Sequence, residues 1–215
     1  MGRKVALLHT SLVLIQRERM VFDLLEELLP DVELVNIVED TMAFEVIRAG
    51  AITPELTRRM CLYVLAAESM GVDAIFSTCS SLGPTMDVAR KLVRVPIVKI
   101  DEAMAQKAAA EGNRIAVLAT ARSTLKPTAQ LIEEKSSEAG RPVTVREALC
   151  PGAFEILMQG QVQQHDDLVA QKAREAAQWA DTLVLAQATL ARLAPRLEAE
   201  VARPTLSSLG RASNA

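Results

Sequence analysis

Two residues carry the chemistry of this sequence, a thiol at position 79 and an amide at position 187. Cys79 closes the apolar run Asp73-Ala-Ile-Phe-Ser-Thr-Cys79 and opens Ser80-Ser81-Leu82-Gly83-Pro84, which reads as a buried strand running into the start of a helix. There the free backbone N–H groups and the helix dipole favour the thiolate. As thiolate the sulfur can take a proton from carbon, and as thiol it can give one back. The run Asp181-Thr-Leu-Val-Leu-Ala-Gln187-Ala-Thr-Leu repeats the pattern, with Asp73 falling on Asp181 and Leu82 on Leu190, 108 positions on in both cases. Cys79 then falls on Gln187, and an amide has no acid–base function near neutral pH. Ser80, Ser81 and Thr189, with nearby backbone N–H groups, could hold a substrate carboxylate or the enediolate formed when its α-carbon loses a proton or CO₂. The plain alternative is that Cys79 is a small buried hydrophobe.

These residues need a scaffold, and the hydrophobic pattern supplies one. Short β-branched runs at residues 4–10, 32–38, 74–79, 96–100, 114–120, 143–149, 182–186 and 204–206 alternate with longer amphipathic stretches. The clearest predicted helix is 54–70, with Thr53 as N-cap, Pro54 in the first turn, Leu56, Met60, Tyr63, Ala67 and Met70 on one stripe, and Gly71 after it. Another is predicted at 126–139, stopped by Gly140 and Pro142. Strands apolar on both faces, alternating with helices, predict an α/β fold with a mostly parallel sheet. Four strands precede Asp101 and four follow it, and Val5-Ala-Leu-Leu-His-Thr10 falls on Ile115-Ala-Val-Leu-Ala-Thr120. The chain is therefore expected to be two pseudo-symmetric halves, 1–101 and 102–206, each a four-stranded sheet flanked by helices, with residues 207–215 packing back on the first half.

Ligands of open α/β sheets bind beyond the carboxyl ends of the strands. The residues expected there are Thr10 and Ser11, Cys79 to Ser81, Thr120 with Ser123 and Thr124, and Gln187 with Ala188 and Thr189. The active site is expected in a cleft between the halves. His9 reads as packed or hydrogen-bonded near the first strand tip, and His165, next to Asp166 and Asp167, as an exposed helix start. Cys61 reads as core, and Cys150 as a strand end. Glu155 reads as an acid supporting the site from behind or lying on the surface, and Arg122 and Lys126 as surface charges able to counter a second acidic group.

Composition excludes several classes. With a formal net charge of −3, no basic block and 3% aromatic residues, a nucleic-acid partner is not expected. No apolar run approaches the length of a membrane span, so no membrane partner is expected either. The amino terminus begins like a signal peptide, but Gln16-Arg-Glu-Arg19 interrupts it. Three widely spaced cysteines suggest neither a disulfide framework nor a metal cluster and fit a reducing cytoplasm.

Taken together, Ala74-Ile-Phe-Ser-Thr-Cys79-Ser-Ser, Asp181-Thr-Leu-Val-Leu-Ala-Gln187-Ala-Thr, Ile115-Ala-Val-Leu-Ala-Thr120 and Pro204-Thr-Leu-Ser-Ser208 resemble the aspartate/glutamate racemase superfamily, which includes hydantoin racemases, maleate isomerases and arylmalonate decarboxylases. The resemblance covers nearly the whole chain. It implies two pseudo-symmetric α/β halves, no cofactor, and two cysteines on opposite faces of the substrate's α-carbon. Cys79 matches the first cysteine and Gln187 stands at the second, so the pattern departs from two-base racemisation. The superfamily's one-cysteine decarboxylase keeps its thiol in the second half, the reverse of this sequence.

The leading expectation is a cofactor-independent enzyme on a small carboxylate or carbonyl compound, of isomerase or epimerase type, with Cys79 as its one thiol for proton transfer. Gln187 and the strand-end hydroxyls would bind substrate oxygens. Decarboxylation with Cys79 as proton donor is the first alternative, covalent catalysis another, and a binding or sensing protein without catalysis the alternative from a different class. Relatives in the superfamily are commonly oligomeric, which implies a homo-oligomer, a dimer or higher.

Overall fold

The computed structural model describes residues 2–12 and 20–210, so the expectation for residues 16–19, and the part of the 207–215 expectation that falls on 211–215, lie outside the described residues. The chain divides into two compact units, Met1–Ile100 and Asp101–Ala215. The first runs β1 (Arg3–His9), α1 (Met20–Leu28), β2 (Val32–Val38), α2 (Met42–Ala49), α3 (Pro54–Ser69), β3 (Ala74–Ser77), a 3-10 turn at Ser80–Leu82, α4 (Gly83–Ala89) and β4 (Ile97–Lys99). The second runs α5 (Glu102–Glu111), β5 (Arg114–Ala119), α6 (Arg122–Glu138), β6 (Thr144–Leu149), α7 (Ala153–Met158), α8 (Val162–Ala177), β7 (Thr182–Leu185), a 3-10 stretch at Ala188–Leu193, α9 (Ala194–Val201) and β8 (Thr205–Ser207). Residues 207–210 belong to this second unit.

Each unit holds one all-parallel sheet, with strand order β2-β1-β3-β4 in the first and β6-β5-β7-β8 in the second. Registers repeat as well as orders. Val5 pairs with Ala74 in the first sheet and Ile115 with Thr182 in the second. Ile75 pairs with Ile97, and Leu183 with Thr205. Burial explains why these runs are strands. In β5 every residue after Arg114 is buried, and β7 is buried throughout, as a sheet covered on both faces requires. Side chains alternate between the faces. Ala116, Leu118, Leu183 and Leu185 join Val169 and Ala173 of α8, while Ile115, Val117 and Val184 join Met104 of α5 and Leu125 and Ile132 of α6.

The helices show where local rules hold and where packing overrides them. Thr53 caps α3 by accepting from the Leu56 N–H at 3.2 Å, and Pro54 occupies the first turn. The buried stripe of α3 is Leu56, Met60, Cys61, Val64 and Ala67, whereas Met70 is half exposed. The predicted stripe drifted onto Tyr63 and Met70 because Leu62 and Leu65 make more than one face of this helix apolar. α6 begins at Arg122, four residues before the predicted start. Pro127 resembles a helix-start proline, yet it sits just past the first turn, where the only hydrogen bond it forgoes is the one to the Ser123 carbonyl.

One carboxylate ties down the first strand of each sheet. Asp73 accepts from the Lys4 N–H at 2.7 Å, and Asp181 accepts from the Asn113 and Arg114 N–H groups at 3.0 and 3.1 Å. Burial would raise the Asp181 pKa, but those backbone donors outweigh it and hold the group below the usual carboxylate range. Replacing Asp181 with Ala is expected to lower the stability of the folded chain by about 1 kcal/mol in urea denaturation, since the freed N–H groups are still reached by water. An unchanged unfolding midpoint would show that the strand start does not depend on this carboxylate.

Candidate functional site

In the first unit, β1 and β3 are neighbours paired through Leu8 and Ser77, so their carboxyl ends emerge about 5 Å apart. β1 continues into buried Thr10 and Ser11. β3 continues through Thr78 into Cys79, which is extended (φ −123°, ψ 106°) and lies beyond the strand rather than in it. The turn Ser80–Leu82 closes when the Leu82 N–H donates to the Cys79 carbonyl at 3.3 Å. Ser80 and Ser81 are buried, and Cys79 is half-buried with one side against the first unit's core. The structure therefore gathers five predicted residues, Thr10, Ser11, Cys79, Ser80 and Ser81, on two adjacent strand ends.

His9 sits directly before them and is buried, as a packed residue is expected to be. Its ring nitrogens meet Thr78 Oγ1 at 3.1 Å and Asn36 Oδ1 at 2.9 Å, and its ring stacks on Phe22 at 5.0 Å. Thr78 Oγ1 in turn donates to the Leu8 carbonyl at 3.2 Å. His9 thus braces the residue before Cys79. Burial pushes its pKa down, against the pull of Asn36 in the other direction.

The second unit builds the same turn around an amide. Gln187 is extended (φ −129°, ψ 138°) and its carbonyl accepts from the Leu190 N–H at 3.0 Å, matching Cys79 and Leu82. Its side-chain Oε1 accepts from the Thr120 N–H at 2.6 Å, the Thr120 hydroxyl at 3.0 Å and the Ala121 N–H at 3.3 Å. Two of these donors are backbone N–H groups, so the atom facing them has to be oxygen. The NH₂ end of the amide then faces away and donates to no acceptor among the described residues. Ala188 is half-buried, and Thr189 is buried with its hydroxyl lacking a hydrogen-bond partner among the described residues. Ser123 and Thr124 lie in the first turn of α6 rather than in a loop at the strand tip, because the helix starts early.

One sequence reading needs correction. His165 is not an exposed helix start. It is wholly buried in the first turn of α8, with Nδ1 2.8 Å from Asp166 Oδ1. Asp166 is also held by Arg192, a partner 26 residues away that no local pattern reveals. Cys150 is buried, and burial pushes its thiol up to about 12, so it carries no charge near neutral pH. Sequence reasoning also missed Lys99, a buried ammonium at the end of β4 that bonds both oxygens of Asp87 at 2.9 and 3.1 Å. Glu155, Arg122 and Lys126 are exposed. A cavity of about 360 Å³ in the second unit is lined by Met104, Lys107, Glu198, Leu206 and Ser207, among others, and by none of the predicted site residues. No cluster of three or more His, Cys, Asp or Glu able to hold a metal occurs among the described residues, and no described helix is long and apolar enough to cross a membrane.

A duplicated parallel α/β unit with polar carboxyl-end turns, one of them bearing a thiol, defines the class of protein. Its family follows from comparison: the model of the Asp/Glu/Hydantoin racemase family matches residues 18–212, and the chain belongs to that family. Among solved structures it is similar to a glutamate racemase from Bacillus anthracis, with 15% identity, a TM-score of 0.71, and coverage of 96% of this chain and 77% of that one. An allantoin racemase from Pseudomonas fluorescens gives 17% identity, a TM-score of 0.62 and coverage of 96% and 86%. An aspartate racemase from Picrophilus torridus gives 12%, 0.64, and 97% and 90%. At these identities the likeness establishes the fold. Comparison with curated proteins finds no match.

Two outcomes follow from the burial of these groups. Below about pH 6.5 an unfolded chain protonates His9 while the folded chain, with its lowered pKa, resists, so stability is lost as pH falls from there through the folded value. Replacing His9 with Gln should make the fall in melting temperature between about pH 7 and 5 shallower, and an identical slope would refute the assignment. Iodoacetamide at about pH 8 should alkylate Cys79 well before Cys150 in the folded chain, read by peptide mass spectrometry, and preferential labelling of Cys150 would contradict the burial described.

Proposed function

We propose that the chain is a cofactor-independent isomerase of small carboxylate or carbonyl compounds in which Cys79 transfers the proton and Gln187 binds substrate without exchanging protons. The observation that supports this most is the shared turn: the same backbone conformation carries a half-buried thiol in one unit and, in the other, an amide whose carbonyl is fully engaged. The thiolate of Cys79 takes the α-proton, and the electron pair of the C–H bond moves into the carboxylate or carbonyl to give an enediolate or enolate. N–H groups of Gln187 and hydroxyls of Thr10, Ser11, Ser80, Ser81, Ser123, Thr124 and Thr189, with the Ala188 N–H, supply the donors for its oxygens, while Thr120 contributes by holding the Gln187 amide through its own hydroxyl. The thiol then returns the proton to a neighbouring carbon, which isomerises the compound, or to the same face of the same carbon, which only exchanges it with solvent, and in either case thiolate is regenerated.

One thiol reaches one face, so the chemistry is one-handed. In D₂O, with the separate enantiomers of aspartate, glutamate and allantoin as probes, the α-proton should wash out of one enantiomer only, and a Cys79→Ser variant should slow this by about 10²-fold or more. Equal exchange in both hands, or full activity in the variant, would defeat the reading. Binding of a probe without exchange, unchanged in Cys79→Ser, favours the second reading, a binding or sensing protein, for which the loss of an acid–base group at position 187 is the motivation. Decarboxylation has no observation of its own in its favour.

Self-association of identical copies is part of the proposal. Its support is an uncharged outward stripe on α3, where Leu62 and Leu65 are 57% and 39% exposed, continued by Met70 at the helix end. A Leu62→Glu, Leu65→Glu double variant should sediment as a smaller species than the parent chain, and unchanged sedimentation would exclude this face. A reducing cytoplasm is proposed on the three thiols, all free of disulfides.

A further inference from the structure

Buried His165 and Asp166, with the exposed Arg192 reaching in from the surface, form a polar cluster that proton transfer at Cys79 does not use. Arg192 grips both oxygens of the Asp166 carboxylate, Nη1 to Oδ2 and Nη2 to Oδ1, each at 2.6 Å. His165 Nδ1 meets the same carboxylate at 2.8 Å. Removal from water would raise the pKa of Asp166, but the hydrogen bonds from Arg192 and His165 outweigh it and keep the group below the usual carboxylate range. An ionised Asp166 can only accept, so His165 Nδ1 carries the proton of that bond. The other nitrogen, Nε2, is buried with no hydrogen-bond partner among the described residues. A buried polar atom left unpaired works against the fold. A cluster selected for stability alone would more economically be apolar.

Two further observations connect the cluster to the strand-end residues. Arg192 lies in the 3-10 stretch Ala188–Leu193, which starts directly after Gln187 and carries Thr189. α8 leads back into β7 of a parallel sheet, so its first turn, with His165 and Asp166, lies at the carboxyl end of that sheet, as Gln187 does. The Arg192–Asp166 pair therefore pins the segment behind Gln187 to a neighbouring helix. The Thr189 hydroxyl in that segment is a second buried donor with no partner among the described residues.

We propose that Asp166 and Arg192 are positioning residues for the Gln187 amide: the ion pair clamps the segment after Gln187 to α8, His165 holds the carboxylate in orientation, and the clamp sets where the Gln187 N–H donors and the Thr189 hydroxyl point. This rests on the reading of Gln187 as a substrate-binding residue. Bidentate guanidinium–carboxylate geometry suits the task, because two parallel bonds fix an angle that one ammonium cannot.

The test follows the Gln187 side-chain amide resonances in the full chain labelled with ¹⁵N, assigned by their loss in Gln187→Glu. Arg192→Ala should shift them, Arg192→Lys should shift them less, and millimolar guanidinium should return the Arg192→Ala spectrum toward the parent. With aspartate, glutamate and allantoin as probes, α-deuterium exchange in Arg192→Ala should fall about 10- to 100-fold in kcat with a smaller change in KM, and guanidinium should restore part of it. Arg174→Ala, which removes a pair to Glu200 on the surface, should change neither readout. If Arg192→Ala does not fold, Asp166→Asn is read in its place, because it leaves no bare carboxylate behind. Unshifted Gln187 resonances in a folded variant, or a loss of exchange that follows melting temperature alone and is not rescued, would overturn the proposal. Cys79→Ser separates the two claims: retained exchange there defeats proton transfer at Cys79, while the amide resonances still decide the clamp.

Discussion

The bond from the Thr120 N–H to the Gln187 side-chain oxygen is the contact on which the functional account depends. It fixes which end of the amide is which. Without it the side chain could turn either face outward, and the second unit's strand end would present an acceptor as readily as a donor. With Thr120 and Ala121 both donating, the oxygen is committed to the protein and the NH₂ is left for something else. An amide so held is rigid as well as polar. In the proposed function it gives hydrogen bonds to a developing negative charge without having to reorganise, the condition under which such donors stabilise an enediolate best.

The scaffold makes this possible by repeating itself. The same strand order, register and turn occur in both units, so a residue change at one position substitutes one chemistry for another with little structural consequence. Cys79 and Gln187 have nearly the same backbone angles, and the turn that follows each is closed by a leucine N–H, from Leu82 in one unit and Leu190 in the other. Asp73 and Asp181 anchor the starts of the first strands in the same way. Thiol and amide differ mainly in what they can do with a proton. In the proposed function that difference, more than anything in the fold, sets this member of the Asp/Glu/Hydantoin racemase family apart from a two-thiol racemase.

Much of this was legible in the amino-acid sequence, and the reasons are physical. Parallel strands buried on both faces must be nearly continuous apolar runs, so β5 and β7 announce themselves, and the duplication shows in the spacing of Asp73, Leu82 and Pro96 against Asp181, Leu190 and Pro204. What the sequence hid were interactions without a local signature. His165 beside two aspartates reads as solvated, yet an arginine 26 residues away neutralises Asp166 and draws the turn inward. Pro127 reads as a boundary because proline favours helix starts, but a helix can carry it just past its first turn. Lys99 has no local signature at all, and only the packing of α4 against β4 shows its ammonium buried on Asp87. The orientation of the Gln187 amide was likewise beyond any pattern of residue types, since it depends on two backbone N–H groups 66 and 67 positions away.

The most direct measurement compares Gln187→Glu with the parent chain in melting temperature and in calorimetric binding of aspartate, glutamate and allantoin at neutral pH. A carboxylate oxygen can replace the amide oxygen toward Thr120 and Ala121, so the fold should persist, while the lost N–H donors and the added negative charge should abolish binding of the carboxylate ligand the parent takes. Undiminished affinity in a stably folded Gln187→Glu chain would contradict the division of the amide into a structural oxygen and a substrate-binding nitrogen.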